Sequence, residues 1–61
     1  MSHPTFPRRI LIADAETERA ATLRALFHAW GHAVAVVTDA PAALRRAETF
    51  RPDVVVAGPV A

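Results

Sequence analysis

Apolar positions along the chain alternate between two spacings, and the alternation predicts strands and helices in turn. Ile10-Leu11-Ile12-Ala13 is a continuous apolar run that stops at Asp14, and continuous rather than alternating apolarity is what a parallel strand covered on both faces requires. From Thr17 to Trp30 the residues Ala20, Leu23, Leu26, Phe27 and Trp30 recur every three or four positions, the spacing of one helical stripe facing a core. Glu16 and Glu18 suit the positive end of that helix's dipole, and Gly31 stands where a left-handed cap commonly ends a helix.

Ala33-Val34-Ala35-Val36-Val37 predicts a second strand. Asp39 then follows as a side-chain cap for a helix whose first turn tolerates Pro41. This second helix is expected over about Ala40 to Phe50, burying Ala43, Leu44, Ala47 and Phe50 and turning Arg45, Arg46 and Glu48 to solvent. Arg51-Pro52-Asp53 should break it, because the residue before a proline is pushed out of the α region. Asp53 is expected to cap or solvate the turn. Val54-Val55-Val56-Ala57 is a third strand, followed by Gly58-Pro59. Residues 1–9, with Pro4 and Pro7 and no periodicity, read as a flexible leader, so that order begins at Ile10.

Strands alternating with helices of this length signal βαβ units and a parallel sheet. With right-handed crossovers, the expected fold class is α/β: a βαβαβ three-stranded sheet in the order 2-1-3, a helix on each face, arranged as in a flavodoxin-like fold. Ligands of such sheets bind at the carboxyl ends of the strands, beside the switch in strand order. Here that places Asp14-Ala15-Glu16 next to Gly58-Pro59.

Composition narrows the alternatives without choosing among them. The 61 residues are 52% hydrophobic and 21% charged, with a formal net charge of +1, which gives no electrostatic reason to expect nucleic acid or membrane as a partner. All seven basic residues are Arg and there is no cysteine, so neither a disulfide nor a thiolate metal site is available. No run approaches the roughly 20 apolar residues that span a bilayer, and the amino terminus lacks a signal-peptide core; a cytoplasmic protein is the expectation. His3, His28 and His32 share neither a helical face nor a ligand spacing. The first strand is followed by Asp-Ala-Glu rather than a glycine-rich turn, which argues against a dinucleotide or P-loop site.

Arg9-Ile10-Leu11-Ile12-Ala13-Asp14-Ala15-Glu16 resembles the opening of response-regulator receiver domains, where an apolar strand leads into an acidic pair. Leu23, Leu26, Gly31, Ala33-Val34, Ala43-Leu44 and Arg51-Pro52-Asp53-Val54-Val55-Val56 follow in the order in which that family places its helix-one leucines, glycine turn, second strand, second helix and third strand. The resemblance covers residues 8 to 58 and implies the first half of a receiver fold, with residues 10–61 forming a partial receiver-like domain.

It also implies a site that has lost most of its parts. Asp14 matches the first acid of the family's pair, Ala15 stands at the principal metal-binding acid, and Gly58 occupies the phosphoacceptor position. Glycine offers no nucleophile, and Mg²⁺ wants several oxygen ligands in near-octahedral geometry. Phosphorylation at position 58 is thereby excluded, no catalytic residue and no enzymatic activity are expected, and any Mg²⁺ on Asp14 and Glu16 would be held weakly as a vestige; no cofactor is expected. Asp14 is expected to cap the first helix or orient the loop, and Glu16 to serve as a first-turn acid.

The functional expectation is a receiver-like module of two-component signalling, a pseudo-receiver acting by protein contact with a histidine kinase, another receiver or an output domain. It would self-associate through the exposed edge of the third strand. The alternatives are a truncated receiver fragment without independent activity and a small flavodoxin-like ligand-binding unit.

Overall fold

A computed structural model of the chain describes residues 7–59. Most of the expected leader, His3 included, and the last two residues lie outside them. Five elements follow one another: β1 Arg9–Ala13, α1 Thr17–Ala29, β2 Ala33–Val37, α2 Ala40–Phe50 and β3 Val54–Ala57. The strands form one parallel sheet in the order β2-β1-β3, the arrangement expected from the sequence. The first strand starts one residue before Ile10. Arg9 is in the ladder, and the carbonyl of Arg8 already accepts from the Ala33 amide at 2.9 Å.

Successive side chains of a strand point to opposite faces, and the central strand therefore supplies both cores. Ile10 and Ile12 join Ala20 under α1, with Leu23, Phe27, Val34 and Val56 packed around them. Leu11 joins Ala35 and Phe50 under α2, with Val37, Ala43 and Ala47 alongside. Leu11 and Ile12 are fully buried, a contribution of roughly 1.5–3 kcal/mol each.

Both helix ends that the sequence marks are built as expected, by different devices. The Asp39 carboxylate accepts from the Ala42 amide at 2.7 Å, capping the start of α2. Gly31, at φ 90°, closes α1: its amide reaches the His28 carbonyl at 3.0 Å, and the His32 amide reaches Phe27 at 3.2 Å, the paired bonds of a Schellman ending. The end of α2 falls where Arg51-Pro52-Asp53 was expected to break the helix. Arg51 takes a left-handed conformation, φ 54° and ψ 66°, so the chain leaves the helix by reversing its twist rather than by extending before Pro52.

Three residues expected in the core are outside it: Leu26 and Trp30 are 43% and 57% exposed, and Leu44 is 73% exposed. A helical residue turns about 100° from its neighbour, so Leu26 and Trp30 flank the Ala20-Leu23-Phe27 row on one side, and Leu44 lies beyond Ala43 and Ala47. Three strands are too narrow to meet these flanks. Trp30 instead sets its ring edge-on to Phe27, with centroids 6.2 Å apart. The narrowness shows most at β3. Both helices lie over β1 and β2, only Val56 of β3 reaches a core cluster, and Val54 and Val55 stay exposed.

Candidate functional site

The carboxyl end of the sheet is tied together by main-chain bonds before any side chain is considered. The Asp14 amide donates to Val37 at 3.0 Å, the Gly58 amide to Ala13 at 2.8 Å and the Ala15 amide to Pro59 at 2.8 Å. The loop after β1 and the segment after β3 are thus held side by side, which brings Asp14 and Gly58 together as the topology predicts.

Asp14 is the buried charged residue of the described chain, at 2% exposure. A carboxylate out of water is costly unless it is paired and hydrogen-bonded, and this one is satisfied on both oxygens. Its Oδ1 accepts from the Glu16 amide at 2.8 Å, an Asx turn that orients the loop. Arg19 closes the remainder in a two-point fork, Nε to Oδ2 at 2.6 Å and Nη2 to Oδ1 at 2.8 Å. The Arg19 fork and the Glu16 amide hold the Asp14 carboxyl below its ordinary value, against the opposing effect of desolvation. The Arg19 guanidinium is held charged in turn.

Gly58 has a second meaning in this geometry. A Cβ at position 58 would lie 2.7 Å from the Asp14 carboxyl carbon and 3.0 Å from Oδ1, and closer still to Oδ2. Real Cβ atoms do not approach neighbours so closely, and the Asp14 side chain is short, buried and tied by three hydrogen bonds. The absence of a side chain at 58 is therefore a packing requirement of the Asp14–Arg19 pair as well as the absence of a nucleophile.

The other residues singled out in the sequence fall elsewhere. Glu16 is the N-cap of α1 and makes no side-chain cap bond; its side chain is exposed while its amide serves Asp14. Asp14 orients the loop and does not cap the helix. Asp53 accepts from the Arg9 amide at 2.8 Å, at the opposite end of the sheet. His32 accepts at Nδ1 from the Arg8 amide at 3.0 Å, a structural use of a histidine. Among the described residues no three His, Asp or Glu side chains converge as a metal site would require, and no cavity opens at this edge.

Arg19 is the member of the site that no motif or periodic spacing marks. A signal was present: a basic residue in the first turn of a helix opposes the dipole, and Arg19 sits there among Glu16 and Glu18. No helix among the described residues is long and apolar enough to cross a membrane. No protein-family model, curated protein or solved structure matches the chain.

Proposed function

We propose that the chain is a receiver-like module of two-component signalling that acts by protein contact and accepts no phosphate. One observation carries this reading: at the carboxyl edge of a β2-β1-β3 parallel sheet, the surviving acid Asp14 is engaged by Arg19 over a position that has no room for a side chain. A phosphoryl acceptor needs a free nucleophile and a cation to neutralise the developing charge. Here the acid already has its cation, and that cation belongs to the protein. The partner would be a histidine kinase, another receiver or an output domain. The β3 edge, unpaired and carrying exposed Val54 and Val55, is the surface offered for self-association.

Incubation with acetyl phosphate and Mg²⁺, read by intact mass, tests the phosphate claim: no adduct is expected, and a stoichiometric acyl phosphate would overturn it. Titration of the labelled chain with a histidine kinase cytoplasmic domain, read by NMR shifts, tests the contact claim. A second reading, a portion of a larger receiver fold with no activity of its own, is favoured by the exposure of Val54 and Val55, which point to opposite faces of β3. A chain that binds no signalling partner and associates with nothing but itself supports that second reading.

A further inference from the structure

At the amino end of the sheet, opposite the Asp14 site, lies a concentration of positive charge that the receiver reading does not use. Arg8 and Arg9 enter β1 there, α2 delivers Arg46 one turn before its end, and Arg51 follows as its cap. All four are exposed. Two acids lie nearby by topology: Asp53, whose Oδ2 is committed to the Arg9 amide, and Glu48 in the last turn of α2. Among the described residues the ion pair is Arg19–Asp14, so none of these four guanidinium groups is in direct contact with a described carboxylate.

Two of them are ordered by an aromatic ring. The Arg9 guanidinium lies 4.4 Å from the centroid of Phe50, and that of Arg46 lies 5.2 Å from the same centroid. The Nε of Arg9 donates to the Phe50 carbonyl at 2.6 Å, leaving its two terminal nitrogens available. Sharing one buried ring keeps the two guanidinium carbons within about 10 Å of each other while cation–π contact restrains both side chains. Restraint before binding lowers the entropic cost of a contact. Arg51 adds a third charge from a left-handed backbone that glycine would adopt with less strain.

We infer that this Arg9–Phe50–Arg46 platform, extended by Arg51, is a docking surface for an acidic peptide segment of a partner protein. Planar guanidinium forks match carboxylates in two-point contacts. A nucleic acid is disfavoured on two counts. Six acids, four of which (Asp14, Glu16, Glu18 and Asp39) lie at the far end of the sheet, bring the whole chain with its seven arginines to a formal net charge of +1. The aromatic ring here is covered by arginines and presents no face for a base to stack on. The inference is independent of the receiver reading, because it uses no residue of the Asp14 site.

The test uses the full chain and a fluorescent peptide of ten glutamates, followed by anisotropy at low and moderate salt. Saturable, salt-weakened binding is expected. Arg46→Gln and Arg51→Gly should each weaken it by about two- to fivefold, the range of an exposed ion pair, whereas Arg24→Gln on α1 should leave it unchanged. Arg51→Gly relieves backbone strain, so its loss of binding could not be ascribed to unfolding. Binding that ignores both patch variants, or that falls equally with Arg24→Gln, overturns the inference. A single-stranded DNA of equal charge that binds as tightly as the peptide overturns the choice of partner.

Discussion

β1 and β3 are written in nearly the same alphabet and live in opposite surroundings. Ile10-Leu11-Ile12-Ala13 is paired on both sides and buried on both faces, whereas Val54-Val55-Val56 is paired on one side and largely bare. An apolar run therefore specifies that a segment will be a strand and gains from cover; it does not specify that cover is present. The central strand owes its burial to position in the sheet order, which places it under both helices.

Removing side chains from the two strands should expose this difference most strongly. Leu11→Ala is expected to cost about 2–5 kcal/mol in urea unfolding, while Val55→Ala, already half in water, should cost well under about 1 kcal/mol. Equal losses at the two positions would mean that β3 is covered in solution, by another copy or another protein.

At the carboxyl ends of the same strands, Gly58→Ala should destabilise by about 1–3 kcal/mol, the cost of forcing extra volume into a packed site. Combining it with Arg19→Ala, which frees the Asp14 carboxylate to move, should give less than the sum of the two single losses. Strict additivity would show that Asp14 does not stand over position 58.

The edge of β3 offers a third contrast. Val55→Lys, a charge of the kind natural edges carry, should reduce self-association in sedimentation velocity while leaving helix content unchanged. The smallest effect expected is at acid pH. The Asp14 carboxyl is held below its ordinary value of 3.8 in the folded chain. Its pairing therefore contributes stability that is present above that pH and is lost as the pH falls through the lowered folded value. Arg19→Gln should flatten this acid limb of the unfolding curve, and an unchanged limb would mean that the fork is not formed in solution.

Much of the framework was legible because local chemistry and global topology agree. Asp39 and Gly31 do what their types do at helix ends, and the alternation of strand and helix leaves little freedom in a parallel sheet. Leu26, Trp30 and Leu44 were misplaced because a helical stripe shows which side faces a core but not how wide that core is. Arg51 was read by what its proline forbids, and the left-handed alternative has no mark in the sequence. Arg46 was assigned to solvent by its place on the helix, and its contact with Phe50 depends on the rotamer the ring permits.

The site was half legible. The sheet topology brings Asp14 and Gly58 together, and that followed from the strand order alone. The part played by Arg19 did not, since a contact five residues along, across a loop and into a helix, matches no periodic spacing. The tightness of the Gly58 contact is a matter of fractions of an ångström, which no sequence pattern encodes.

That contact also constrains how the chain can change over generations. A carboxylate introduced at position 58 meets the Asp14–Arg19 pair before it can meet any phosphate donor, so Gly58→Asp alone is penalised. Loss of Arg19 alone leaves a buried acid without its partner. Positions 14, 19 and 58 are thus coupled, since a side chain at 58 and the loss of Arg19 are each penalised through the same buried carboxylate.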